Sequence, residues 1–562
     1  MKRIIPFILA LCLLAGCGSS GNGNTETPAP PDAPAVEAPA QPTEPEPKIN
    51  WGGDVVSTIR ADQLGYRPGD TKKAAIITDD TTFEISRAAD GVVVLGAALS
   101  EPMRANAADE TVRVADFSAL AEPGEYFLVT SEGRSYPFVI SDSPYGDLRA
   151  AVLEMFHYQK CGVEIEAGIW SHPECHAELA TIFDTEDTKD VSGGWHDAGD
   201  YGRYVVPAAK AIADLLLAYE NAPNPDPEAL PTAWHKIEWM LKMQDEATGG
   251  VYHKVTCRSF PALDIMPQGE RNPLVLSPIS PTATADFAAS MALAARFYPE
   301  QREALLAAAI SAWEWCEANP DAPGFRNPPR ISTGEYGDSS SKDERFWAAC
   351  ELFAATGDEK YHDYIKSDTL YTGFGWQAVG SYGLVAYLFG AGDKADGELY
   401  AQMKDKLLAD CEGIMGQYAQ NPYGDSMGGS FPWGSSMNVA NNAVTLILGS
   451  RLADKPEYVE AALDHMHYLL GYNSLAQSFI TGYGAVSPQN PHHRPSVAAG
   501  AAVPGMVVGG PESGLSDPAL KAACEGFPAA KRYIDDKESY ASNEITIYWN
   551  SPVYFALALL DL

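Results

Sequence analysis

Positive charge is scarce in this chain. Across 562 residues, 39 Lys and Arg stand against 75 Asp and Glu, a formal net charge of -36. Such a surface repels nucleic acid phosphates and anionic lipid, so nucleic-acid binding is excluded and neutral or cationic substrates remain. Cysteine is thin as well, nine residues without the regular framework of a small disulfide-stapled fold. The apolar run within MKRIIPFILALCLLAGCGSS, behind a basic start, is too short to span a bilayer stably. What the chain does have is 46% apolar and 10% aromatic residues. That composition fills large cores, and the length exceeds what one core organises, so more than one domain is expected.

Residues 1–17 read as an export leader. Leu14-Ala15-Gly16-Cys17 resembles a bacterial lipobox. The resemblance implies cleavage before Cys17 and a diacylglycerol on its thiol, giving an extracytoplasmic protein lipid-anchored to the bacterial cell membrane or surface. An ordinary signal peptide cleaved near the same place is the alternative. Residues 18–50 are rich in Pro, Ala, Glu and Thr and cannot bury a core, so they read as a disordered linker.

From 51 to 143 the pattern is short alternating runs (KKAAIIT, TTFEISR, GVVVLG, ETVRVADF, GEYFLVT) broken by RPGD, ADG, EPGE and SEGR. About seven strands are expected, in a small antiparallel sandwich. It holds no cluster of acids, histidines or cysteines. From 144 to 562 the period becomes helical, with about a dozen segments from LRAAVLEMFHYQ to EITIYWNSPVYFALALL. Long loops interrupt the helices after about Cys161, after Val251, around Arg326 to Lys342 and from Tyr472 to Asn543. Loops of that length in a compact domain usually build a site.

The first of them contains DVSGGWHDAGDYGRYVVP, which sets His196, Asp197 and Asp200 on a glycine-rich segment. Clustered acids on a loop costly to hold still answer to a ligand, a metal or a reaction; a solvated turn is the plain alternative. Nearby Cys161, Cys175 and His176 complete, with His196, two thiolates and two imidazoles, a set suited to structural tetrahedral zinc. By spacing alone, two buried thiols and two ordinary histidines serve equally. NPHHRPS brings His492 and Arg494, whose groups hydrogen-bond hydroxyls, and SYASNEITIYWNSP places Glu544 at the start of the last helix. A Glu beside an aromatic helix start can keep its proton near neutrality, although a surface turn and a helix-start charge explain these residues too.

Taken together, DVSGGWHDAGDYGRYVVP, TGYGAVSPQNPHHRPS, VPGMVVGGPESGLSDP, SYASNEITIYWNSP and the opening RADQLGYRPGDTKKA resemble glycoside hydrolase family 9, in particular cellulases with an N-terminal immunoglobulin-like domain. The resemblance implies a mainly α chain, an (α/α)6 barrel behind a small all-β immunoglobulin-like sandwich. It implies hydrolysis of β-1,4-glucan with inversion, Asp200 as the general base, Asp197 holding the same water, and Glu544 protonating the leaving oxygen. His492 and Arg494 would contact the sugar at the cleavage point. The same likeness implies zinc on Cys161, Cys175, His176 and His196. It also makes Ser339, Asp343 and Glu344 of GDSSSKDERFWAACEL candidate calcium ligands, although Asp-Glu before a helix is equally a pair of N-terminal charges.

Trp376, Trp433 and Tyr540, on loops, are candidate sugar-stacking platforms, while Trp347 and Trp315, at helical spacing, are assigned to the core. No organic cofactor is expected, and the reading is of a monomer acting on β-glucan. There are two rivals, the first an activity within the same family and the second of a different class. An exo-β-glucosaminidase acting on chitosan oligosaccharides suits an acidic protein, and a non-catalytic glycan-binding surface lipoprotein would share anchor, stalk and cleft but has no need of three intact carboxylates.

Overall fold

The computed structural model describes residues 47–562. The leader 1–17 with its candidate anchor Cys17, and the linker as far as residue 46, lie outside the described residues. Lys48–Leu562 form one compact unit.

The alternating N-terminal runs fold into two facing sheets, one of strands Ile59–Arg60, Lys73–Ile76, Glu110–Asp116 and Met103–Ala105, the other led by Thr82–Arg87, Val93–Ala98 and Gly124–Thr130. Inward residues such as Phe83, Ile85, Tyr126, Leu128 and Phe138 share a core of their own, the period-two outcome of one buried face. Strands at Gly65–Tyr66, Met103–Ala105 and Gly133–Arg134 go beyond the seven expected. At two or three residues they are too short to show alternation.

Among the described residues, twelve principal helical segments stand behind the sandwich, in two kinds. Val205–Asn221, Pro281–Ala294, Lys342–Thr356, Gly380–Val385 with its Ala386–Gly390 continuation, Ser435–Ser450 and Ile547–Leu560 are buried almost throughout. Their partners, among them Leu148–Tyr158, Ala229–Met243, Arg302–Ala318 and Gly397–Tyr418, bury one face only. A helix apolar all round belongs inside and a one-sided helix outside. The buried helices pack on one another, Ile547–Leu560 on Val205–Asn221, that on Pro281–Ala294, and that on Lys342–Thr356. The result is an (α/α)6 barrel.

Trp347 is fully buried as expected, but on Arg302–Ala318 it is Trp313 that enters the core, while Trp315 stays partly exposed against Gly250. Two tryptophans two residues apart on a helix face different ways. A small sheet built from Ala180–Ile182, Thr188–Lys189, Arg203–Tyr204, Lys254–Thr256 and Val275–Leu276 knits the long loops together at one end of the barrel. No alternating run in the sequence announced it.

Candidate active site and metal site

The segment carrying Asp197 and Asp200 is fastened on three sides. The His196 amide donates to the Gln159 carbonyl (2.7 Å), the Asp197 amide to the Gly202 carbonyl (2.9 Å), and the Ile547 amide to the Asp197 carbonyl (2.8 Å). The last bond ties the segment to the first turn of the C-terminal helix. Between the two acids, Gly199 lies so close to the His492 chain that a Cβ would stand 2.0 Å from the His492 carbonyl oxygen. Glycine is needed there for approach, since its φ is not in the left-handed region.

That approach brings distant motifs together. The Arg494 guanidinium donates to the Gly199 carbonyl (2.7 Å) and to the Pro261 carbonyl (2.9 and 3.1 Å). His492 and Glu544 form a parallel bridge. Glu544 therefore does not open the last helix: it has extended backbone, and the helix begins at Ile547 behind the Thr546 cap. A β-bridge fixes a side chain more firmly than a fraying first turn, which suits a reacting group.

Asp197, Asp200, Glu544, His492, Arg494, Trp376, Trp433 and Tyr540 all line one cleft of about 860 Å³. Asp200 Oδ2 accepts from the Gly202 amide (2.8 Å) and lies 3.4 Å from the Tyr204 hydroxyl. Asp197 Oδ2 accepts from the Tyr336 hydroxyl at 2.5 Å, and its Oδ1 has no protein partner. Burial drives the Asp197 pKa up to about 8, opposed by the Tyr336 bond and assisted by the Asp200 charge. Burial raises Asp200 as well, but Arg494 and the Gly202 amide pull it back. Glu544 is pushed well above the usual carboxylate range, by burial first and then by the charges of Asp200 and Asp197. Crowded acids cannot all ionise: cations favour the charged form at each of them, Arg494 at Asp200 and Glu544 and Lys236 at Asp197, and burial with mutual repulsion still leaves Glu544 well above the carboxylate range.

His492 Nδ1 donates to the Lys537 carbonyl (2.6 Å), and burial lowers its pKa to about 4, so the ring is neutral. Its Nε2 can then accept from a hydroxyl. Arg494, only 4% exposed, serves as a brace between the Gly199 and Pro261 segments. The aromatics form two groups. Trp376 packs edge-on against Tyr336, which also meets Tyr548, and Trp433 leans on Tyr540, which meets His492. Phe260 and Leu263 add apolar rim.

Sequence reading missed Tyr336, Tyr204 and Tyr548. Tyr336 sits in the left-handed region at φ 46°, a strained position for a bulky residue, held there beside the buried Asp197. Its only signal was a place in the Arg326 to Lys342 loop, directly before the GDSSSKDERFWAACEL segment, which drew attention to other residues.

The thiolate and imidazole set converges too. Cys161 Sγ lies 3.7 Å from His176 Nδ1 and 4.0 Å from Cys175 Sγ, Cys175 Sγ 3.7 Å from His196 Nε2, and His196 Nε2 3.4 Å from His176 Nδ1. Zinc with Zn–S of about 2.3 Å and Zn–N of about 2.0–2.1 Å gives tetrahedral edges of roughly 3.3 to 3.8 Å, and these four contacts, at 3.4 to 4.0 Å, come close to that, with all four atoms within 4.8 Å of one another. On its far side the His176 Nε2 meets Glu270 at 3.2 Å, the carboxylate that commonly backs a ligating imidazole.

Among the described residues this is the one group of three or more His, Cys, Asp or Glu whose ligand atoms converge. Ser339, Asp343 and Glu344 are not gathered in that way. Ser339 is exposed and Asp343 accepts from the Val379 amide (3.0 Å). Glu344 instead points into the protein, where both its oxygens and both those of Asp286 lack partners.

The family follows from comparison. Residues 145–557 match the model of glycosyl hydrolase family 9. The chain belongs to that family. Its residues 54–135 match the cellulase N-terminal ig-like domain. Endoglucanase D of Acetivibrio thermocellus is 34% identical over 593 residues, covering 99% of this chain and 86% of that relative. A thermostable endoglucanase from Alicyclobacillus acidocaldarius, solved as a single mutant, superposes with a TM-score of 0.84 at 38% identity, covering 90% of this chain and 100% of the other. A zinc-binding triple mutant of the family 9 endoglucanase J30 gives a TM-score of 0.81 at 31% identity, covering 88% and 99%. This family 9 glycosidase thus has the sandwich and barrel arrangement of its relatives along nearly its whole length.

Proposed function

We propose that this family 9 enzyme hydrolyses β-1,4-glucosidic bonds in cellulose, cello-oligosaccharides or related β-glucans with inversion, Asp200 acting as general base and Glu544 as general acid. One observation carries the reading: three carboxylates from segments more than 300 residues apart in sequence line a single aromatic cleft, with cationic and amide support at Asp200 and a proton-retaining environment at Glu544. An inverting hydrolase needs an ionised base and a protonated acid roughly 6.5–9.5 Å apart, with room for water between base and sugar. Water attacks the anomeric carbon as Asp200 takes its proton, and Glu544 gives its own to the departing glycosidic oxygen. Asp197, anchored by Tyr336 and with Oδ1 free, fixes the water's direction. His492 and the aromatic walls hold the rings.

The test is anomer-resolved product analysis on cello-oligosaccharides. The initial product should be the α-anomer, Asp200→Ala and Glu544→Gln should each lower kcat by about 10²–10⁴-fold, and oligosaccharide binding should remain measurable. A β-anomeric product refutes the mechanism, and cleavage of chitosan oligomers alone would establish the glucosaminidase alternative.

The Cys161, Cys175, His176 and His196 set fits structural zinc in geometry and donor chemistry. When bound, zinc would hold the segment that continues into Asp197 in place. Metal analysis of purified protein should find about one zinc per chain, and Cys175→Ser should lose it and lower the Tm. For calcium, Ser339, Asp343 and Glu344 are proposed on the sequence likeness alone: their ligand atoms do not converge, and burial with mutual repulsion raises the pKa values of Glu344 and the neighbouring Asp286, so protonation is the competing way to neutralise them. Calcium added to protein treated with a calcium-selective chelator should raise the Tm. Lipid anchoring through Cys17 is proposed on the leader alone, and metabolic labelling with a fatty acid, lost in Cys17→Ala, tests it.

A further inference from the structure

Lys254 belongs to no motif singled out in the sequence, yet it lies behind Asp200. Its strand pairs with Arg203–Tyr204, Lys254 opposite Tyr204, and the Tyr204 hydroxyl is 3.4 Å from Asp200 Oδ2. The side chain is wholly shielded from solvent. Nζ donates to Asn327 Oδ1 (2.6 Å), Thr333 Oγ1 (3.1 Å) and the carbonyls of Thr333 (3.4 Å) and Gly334 (2.5 Å), and stands 5.4 Å from the centre of the Tyr204 ring. No carboxylate is among these partners. A buried ammonium without a directly bonded counter-charge is costly, so the position calls for a reason.

Two features supply one. All four oxygens belong to the segment that continues into Tyr336, whose hydroxyl holds Asp197. The charge of the ammonium also favours the ionised form of Asp200, as does Arg494 on the other side, against burial and the neighbouring Glu270. Asp197 and Glu544 share the same cleft. Burial lowers the Lys254 pKa to about 7, and Asp200 and Glu335 oppose the fall. Neighbours that only accept hydrogen bonds from it keep the proton on the nitrogen.

We propose that Lys254 is a positioning residue for the hydrolysis, its ammonium keeping Asp200 ionised while its hydrogen bonds fix the Thr333–Tyr336 segment that orients Asp197. This rests on the reading of Asp200 as the general base. It goes beyond that reading by naming what sets the base's charge in a cleft shared by three acids. A purely structural tether would have the second function and not the first.

The experiment measures kcat, KM and the pH profile of kcat/KM on a soluble cello-oligosaccharide for full-length wild type, Lys254→Gln, Lys254→Met and Thr333→Val, with thermal melts for each. Losing the ammonium should move the acid limb of kcat/KM up by roughly one pH unit and reduce kcat about 10-fold or more below that limb, with KM changed less than about threefold. Thr333→Val keeps the charge and weakens the tether, so its acid limb should stay at the wild-type pH. Gln retains polar contact with Asn327 and Thr333, which keeps the test open if the Met variant does not fold. An unmoved acid limb in a folded Lys254→Gln, or the same displacement in Thr333→Val, overturns the proposal. Full activity of Asp200→Ala would instead overturn the assignment of the base.

Discussion

Glu544 and the two aspartates face a conflict that neutral water would hide. Each is an ordinary carboxylic acid, yet burial and mutual repulsion separate their protonation. The environment raises Glu544 well above its usual range, while Arg494, the Gly202 amide and Lys254 support the charge on Asp200. The general acid works only while protonated, so kcat/KM should fall as pH rises through the Glu544 pKa, and the general base only while ionised, so activity should fall again on the acid side. A pH profile of wild type against Glu544→Gln checks this: the variant should retain little activity and no alkaline limb assignable to an acid. Tyr336 offers a finer test. Tyr336→Phe deletes the one hydrogen bond on Asp197 Oδ2 and should lower kcat by about 10-fold or more with little change in KM, because in the proposed mechanism that contact orients the water and not the sugar. Unchanged kcat would mean that Asp197 needs no such anchor.

At the scale of elements, the site is made where loops touch. The segment with Asp197 and Asp200 meets the His492 chain through Gly199, where any side chain collides with backbone. Gly199→Ala should therefore separate base from acid. We expect kcat to fall by about 10² or more and the Tm to drop, read by steady-state kinetics and differential scanning fluorimetry; a variant with wild-type turnover would show that the contact is not needed. The motif loops were visible in the sequence as glycine, proline, histidine and acid clusters. Their partners were not. The five-strand sheet under the site, the His492–Glu544 bridge and the Asn327–Gly334 cradle of Lys254 use two or three residues each, too few to leave a periodic signal, and they are fixed by contacts across the fold.

The whole molecule adds a join. The sandwich sits against the barrel through buried polar links beside an apolar contact in which Ala75, Ala105, Ala108 and Val112 share the barrel's core. Arg60 and Glu110 of the sandwich pair with each other and with the Tyr423 hydroxyl, and Lys531 reaches Glu110 at 2.5 Å. Asp62 meets His467 at 2.8 Å, Lys73 meets Asp464 at 2.7 Å, and Gln63 exchanges bonds with Ala476 and Val486. Breaking one member leaves buried charge unpaired. Glu110→Ala should thus cost about 3–5 kcal/mol, measured by denaturant unfolding, and excising residues 48–143 should leave a barrel that aggregates or melts far lower. A barrel that melts at the full-length temperature would mean that the sandwich contributes no support.

The sequence by itself determined the two-part organisation, the sandwich and the helical count, because period-two and period-3.6 patterns depend on neighbours along the chain. It also carried the motif residues, Asp197, Asp200, His492, Arg494 and Glu544, and the four zinc-type ligands, because each needs a particular side chain whatever its surroundings. Only the tertiary structure decided which loops meet, that Glu544 rides a bridge and not a helix, that Arg494 braces backbone as well as facing the cleft, and that Tyr336 and Lys254 stand behind the acids. Those relations arise between residues far apart in the chain, where close packing and burial, not local preference, choose the partner.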